Sequence, residues 1–434
     1  MRRLVLALLA FGVLAGGRPA TAVICAVDDV PAATLLLPYF EVDLGNEWGN
    51  TTFFSINNAS ATAVLAHVVV WSDLSVPVFD FNVYLTGYDV QSFNLRDVIE
   101  RGILPQTASA GQDPHDTISP KGAFSQDVNF ASCATILPPP AVLSADFLAH
   151  LQASLTGKFS SILGGCAGLD LGDHVARGYV TVDTVSNCTL RFPGDAGYFV
   201  SGGQGDATDQ NVLWGDYFYL NEGQKSAQGE TLVHVEADPG NPQTSAPGQY
   251  TFYGRYVGWS AADNREPLAT NFAVRFLSGG AFNGGTDLLV WRDSKVKQGA
   301  FQCGTTPAWY PLGQEQIVIF DEQEHPLTPT TFPFSPQPPN AGVIPFPAEA
   351  QRTHVGGAAF PVTFDFGWLY LDLNTAVAAA GANPPEDAGA DQAWVTAVMT
   401  ENGRFSVGFD ALHLDSACDA LHDPVDTTAR AARP

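Results

Sequence analysis

Residues 51–95, TTFFSINNASATAVLAHVVVWSDLSVPVFDFNVYLTGYDVQSFNL, restrict the fold more than any other part of this chain. Apolar runs at Thr51–Ile56, Ala63–Trp71, Val78–Leu85 and Val90–Leu95 alternate with turn residues: Asn57-Asn58-Ala59-Ser60, Ser72-Asp73 with Ser75-Val76-Pro77, and Thr86-Gly87-Tyr88-Asp89. Short runs bounded by Asn, Asp, Ser, Gly and Pro signal strands and hairpins. In the third run Phe79, Phe81, Val83 and Leu85 share one face, and Asp80, Asn82 and Tyr84 the other. A period of two predicts one face in a core and one in water. The second run, AVLAHVVVW, is apolar on both faces, as expected of a covered central strand. The expected architecture is mainly β, with antiparallel sandwich modules and one inserted amphipathic helix.

The run TTFFSINN…DVQSFNL resembles the generic strand pattern of bacterial extracellular immunoglobulin-like modules. The resemblance covers one module and carries no catalytic motif. It implies an immunoglobulin-like sandwich and no activity.

The N-terminus points to export. Arg2 and Arg3 precede an apolar stretch, Leu4 to Ala15, that is too short to span a bilayer, and Ala20-Thr21-Ala22 is a small-x-small cleavage site. Residues 1–22 therefore read as a signal peptide. Cys25 follows Ile24, which argues against lipidation. No later stretch suggests a membrane span. The expected location is secreted or otherwise outside the cytoplasm.

The chain carries a formal charge of −25, which opposes binding to nucleic acid or anionic lipid. Bound Ca²⁺ or a cationic ligand would suit it better, although solubility alone explains such a charge. Cys25, Cys133, Cys166, Cys188, Cys303 and Cys418 in an exported chain imply disulfides. The expected pairs are Cys25–Cys418, Cys133–Cys166 and Cys188–Cys303. A zinc site would want C-x-x-C spacing, which is missing.

Composition divides the remainder into a β-sandwich domain over 23–137, a second β-rich domain over 138–325, a Pro-rich linker or strap over 326–347, a β-hairpin region over 348–419 and a disordered tail over 420–434. Residues 96–101 suggest one helical turn stopped by Gly102. After Pro138-Pro139-Pro140, Ser144 is the expected N-cap of a helix whose stripe is Leu143, Phe147, Leu151 and Leu155, ended at Gly157. Strands are expected at 178–185, 212–220, 231–237, 250–259, 271–277, 287–291, 316–320, 362–366 and 368–373. Pro38 suggests that the ATLLLPYFEVDL run forms an edge or a bend. Glu401-Asn402-Gly403 between AWVTAVMT and RFSVGFDA is the clearest hairpin signal.

Candidate sites follow from residue chemistry. The loop Gly202–Asn211 gathers glycines and oxygen ligands, and Asp206, Asp209 and Asn211 are its candidate Ca²⁺ ligands; no cofactor is otherwise implied. The loop matches no EF-hand or β-roll pattern, and a plain surface loop is the competing reading. Trp214, Tyr217, Tyr219, Tyr253 and Trp259 could stack on sugar rings, although large aromatics more often fill cores. His67 and His234 read as structural histidines. No zincin helix, Walker loop, dinucleotide fingerprint or nucleophile elbow is visible. Converging carboxylates of a glycosidase would leave no spacing signature. The favoured function is non-catalytic: a structural, adhesive or surface-interaction role, with a glycan or cell-surface component as partner. The alternative is a carbohydrate-binding or glycoside-acting protein.

Overall fold

The computed structural model describes residues 30–105, 133, 136–137, 139–247, 250–280, 283–294, 296–305, 307, 316–327, 346–357, 360–374, 392–401 and 405–414. The first half contains β1 (Thr34–Asp43), β2 (Asn50–Asn58), β3 (Val64–Ser72), β4 (Pro77–Leu85), β5 (Val90–Asn94), α1 (Leu95–Ile99), α2 (Ala145–Leu155), β6 (Val175–Val185), β7 (Leu213–Trp214), β8 (Asp216–Asn221), β9 (Ser226–Thr231), β10 (Val233–Val235) and α3 (Pro242–Ser245). The second contains β11 (Asn271–Leu277), β12 (Gly284–Arg292), β13 (Gln316–Asp321), β14 (Pro326–Leu327), β15 (Ala350–Val355), β16 (Phe366–Asp372), β17 (Ala393–Glu401), β18 (Phe405–Asp410) and β19 (Leu412–His413). Among the described residues, no helix is long and apolar enough to cross a membrane.

The protein is mainly β and its sheets are antiparallel. The first sheet runs β10-β1-β6-β3-β4 and the second β5-β2-β8-β9, with β7 also on β2. The third runs β15-β12-β17-β18 and the fourth β14-β13-β16-β11-β19. The runs of residues 51–95 are all strands, yet they form no single meander. Only β3 and β4 pair within the first sheet, whereas β2 and β5 pair in the second. The two connecting turns carry the chain across the core instead of closing hairpins. Asn58 ties them together, its side-chain amide donating to Thr62 O at 2.6 Å and Thr86 O at 2.9 Å.

The first two sheets share one apolar core. Val68, Val70, Val180, Val182 and Phe81 of the first sheet meet Phe54, Ile56, Phe93 and Tyr219 of the second. Phe79, Phe81, Val83 and Leu85 are buried as their alternation requires. Their neighbours Asn82 and Tyr84 are buried too, which corrects the expectation of a wet outer face. Asn82 Nδ2 donates to Thr189 O at 2.8 Å, and Tyr84 packs with Leu65, Val185 and the disulfide Cys133–Cys188.

The other described disulfide is Cys166–Cys303. The expected pairs Cys133–Cys166 and Cys188–Cys303 are therefore exchanged. Cys133 sits against the outer side of β3, β4 and β6, whereas Cys166 is aligned by the bond of its N–H to Phe301 O at 2.9 Å. Cys25 and Cys418 lie outside the described residues.

Pro38 is not at an edge. β1 is interior to its sheet, and Pro38 falls where its register against β6 shifts between Leu37 and Phe40, so the missing N–H is absorbed by the irregularity. α2 has the expected Ser144 cap, and Phe147 meets Phe79 edge-on at 5.4 Å. Gly157 ends it with φ +71°, where a Cβ would stand 2.2 Å from the Leu169 carbonyl carbon. The 250–259 segment is a chain of turns, because Asp263 accepts from Thr251 Oγ1 and Tyr253 N and coils it back on itself. Residues 362–365 are likewise outside any strand.

Strand pairing crosses the division placed at 137/138, since β6 lies between β1 and β3, and β8 pairs with β2. The C-terminal strands β17 and β18 extend the third sheet; residues 402–404, with the Asn402-Gly403 signal, lie outside the described set. The third sheet is apolar on both sides. Val290, Val395 and Ala397 pack on Phe272, Leu369 and Leu371 of the fourth, and Leu289, Trp291 and Trp394 turn to the first core. The junction between the halves also holds a buried polar cluster. Arg255 lies 2.7 Å from Glu349 and 3.2 Å from Asp293, and Ser75 Oγ donates to Glu349. Asp73 O accepts from the N–H of both Glu349 and Ala350.

Candidate functional site

A dense cluster of titratable groups lies on the face of the first sheet turned away from the second. Asp183 of β6 accepts from Thr34 Oγ1 of β1, from Tyr198 Oη at 2.8 Å and from Tyr253 Oη at 3.0 Å. Arg265 donates through Nε to Thr34 at 2.9 Å, through NH2 to Thr208 O at 2.7 Å, and pairs with Asp209 at 3.2 Å. Burial raises the Tyr198 and Tyr253 hydroxyls well above their usual range and pushes Asp263 up to about 6. Burial also lowers the His67 imidazole, whose nitrogens meet Asn82 Oδ1 at 3.2 Å and Arg191 O at 3.1 Å. These groups resemble an acid–base site in composition. Asp183, Arg265 and His67 are 0% exposed, however, so no substrate reaches them. They bind the 186–210 and 250–266 segments onto the sheet, as satisfied buried polar networks do.

The residues singled out in the Gly202–Asn211 loop do not converge. Asp206 accepts from Asn187 and Thr189 and pairs with Arg191 at 3.0 Å. Asp209 faces Arg265 and Asn264, and Asn211 exchanges bonds with Ala237 O and Ala237 N. Among the described residues, no group of three or more His, Cys, Asp or Glu side chains is placed to hold a metal ion. Of the aromatics, Tyr217, Tyr219, Tyr253 and Trp259 are buried, and Trp214 alone stands out at 44% exposure.

Trp214 belongs to a surface that its own sequence neighbourhood builds. In β7 and β8 every second residue turns outward, so Trp214, Asp216, Phe218 and Leu220 share the outer face while Tyr217 and Tyr219 enter the core. Register places Phe53 beside Phe218, Asn57 beside Trp214 and Val90, and Ser55 beside Ser92. Phe53 and Phe218 stack at 5.1 Å with their planes 1° apart. Ser55 Oγ donates to Asp216 at 2.8 Å, and Asn57 Nδ2 to Ser55 at 3.0 Å. β9 adds Ala227, Gly229 and Thr231. In a chain with 45 acidic residues, Asp216 is the one charged side chain on this outward set. Tyr and Trp chemistry alone does not point to Phe53 and Phe218; strand parity around the charged Asp216 is the sequence signal that reaches them.

Comparison with protein-family models, with curated proteins and with solved structures returns no match. The functional reading therefore rests on this geometry.

Proposed function

We propose that this chain is an exported, non-catalytic protein with a structural, adhesive or surface-interaction role, built from immunoglobulin-like modules. The observation that carries the reading is the outward face of β5-β2-β8-β9: aromatic and nearly uncharged on a strongly acidic protein. Contiguous exposed apolar surface marks interaction sites. The two disulfides among the described residues fit an oxidising compartment outside the cytoplasm. The acidity keeps the rest of the surface from associating indiscriminately.

A carbohydrate is the finer reading of the partner. An indole on the same face as a stacked phenyl pair offers ring faces, and the exposed Ser92 and Asp216 offer hydrogen bonds around them. The test scans wild type and the Trp214→Ala/Phe218→Ala variant over a glycan array and over an immobilised panel of extracellular proteins. Loss of about tenfold or more in retention by the variant on either panel supports the surface reading, given that hot-spot aromatics carry such effects. Retention on glycans selects the sugar. Equal retention of both proteins, or turnover of a glycoside by the wild type, overturns the proposal.

A further inference from the structure

The third sheet ends at β15, and among the described residues one stretch of this edge has no neighbouring strand. Antiparallel pairing turns the backbone groups of every second residue away from the neighbouring strand. The bond from Arg292 N to Glu349 O, 2.8 Å, sets the phase, so residues 351, 353 and 355 bond towards β12 while 350, 352, 354 and 356 face outward. The chain itself uses both ends of this outward row. Ala350 N donates to Asp73 O at 3.1 Å, and Gly356 N donates to Phe360 O at 2.7 Å. Between them, the N–H groups of Arg352 and His354 and the C=O of Arg352 bond to none of the described residues.

Open edges are usually guarded by charged side chains, bulges or covering loops. Here the charged side chains leave their posts. Arg352 reaches to Glu41 at 2.7 Å and Asp287 at 3.0 Å, and His354 Nδ1 also meets Asp287, at 2.7 Å. Beside the edge lies a cleft of about 300 Å³, lined among others by Leu169, Leu171, Pro347, Ala348 and Ala350. Leu171 is 58% exposed at its rim.

We propose that β15 takes up an extended peptide by strand addition. The peptide backbone bonds to the outward groups of Arg352 and His354, continuing the row that Asp73 and Phe360 begin and end. An apolar side chain of the peptide enters the cleft against Leu169, Leu171 and Pro347. Main-chain bonds supply affinity in this mode and alternate side-chain pockets supply selectivity. The site uses different strands from the aromatic face and does not depend on it.

The test is amide hydrogen exchange over residues 350–356 of the whole chain. The probes are a pool of eight-residue peptides with Val or Leu at their centre, and the same pool N-methylated at alternate residues. The expected result is about tenfold slower exchange at Arg352 and His354 with the first pool and no change with the second, since exchange reports local protection. Leu171→Lys, a change at an exposed position, should weaken the effect about tenfold, whereas Trp214→Ala/Phe218→Ala should leave it intact. No slowing at millimolar peptide, or equal slowing with the N-methylated pool, overturns the proposal.

Discussion

The first sheet has two faces, equally dry and held by opposite means. Towards the second sheet it presents Val68, Val180, Val182 and Phe81, which pack without direction. Away from it stand Thr34, His67, Asn82 and Asp183, each buried and each hydrogen-bonded to a covering loop. The apolar face requires only volume. The polar face requires every partner, because an orphaned buried charge costs far more than a lost methyl group. Burial therefore says little about what holds a surface closed.

That contrast can be broken by mutation. Arg265→Ala strands the Asp183 and Asp209 carboxylates and should cost about 3–5 kcal/mol in urea melts. Val182→Ala on the opposite face should cost about 2 kcal/mol. Equal losses would erase the distinction between the faces. Between these two in size, Cys133→Ser with Cys188→Ser unpins the covering of β3 and β4 and should cost about 2–4 kcal/mol; an unchanged melt would show that the loop bonds suffice.

An effect of another kind tests the junction by pH. Burial pushes the Asp73 carboxyl up from 3.8 to about 7, so the folded state keeps a proton that the unfolded chain releases. Its contribution to stability is whole below about pH 4 and is lost as pH rises through about 7. Burial raises Asp80 and Asp263 to about 6, giving slopes of the same sign, whereas lowered His67 favours folding as pH rises through its usual range. Asp73→Asn should flatten the decline of melting temperature between about pH 4.5 and 7.5, and an unchanged profile would remove Asp73 from the account. The smallest effect belongs to the outward aromatics: Trp214→Ala should shift stability by less than about 0.5 kcal/mol. A larger loss would mean that the ring is part of the packing.

Much of the strand and helix content was legible. β3 and β4 declared themselves by apolar runs between turn residues, and α2 by its cap, stripe and glycine stop. Partners were not legible, because they are chosen across the core. Nothing local tells β2 to cross over to the second sheet, or Cys133 to prefer Cys188 to Cys166. The polarity of Asn82 and Tyr84 suggests water, yet each has a buried partner. The 250–259 segment is aromatic enough for a strand, yet Asp263 draws its backbone into turns. Trp214 and Tyr217 have the same strand-like neighbourhood, and parity alone sends one out and the other in.

The Arg255, Glu349 and Ser75 arrangement bears on how the molecule can be handled. Severing the chain after Leu268 would leave a guanidinium without its two carboxylates on one fragment, and Glu349 without its counter-ion on the other. Each piece would display raw, dehydrated charge where it once had company, so co-expression should rescue solubility that neither fragment has by itself. The molecule would then be produced and degraded as a whole, however many sheets it contains.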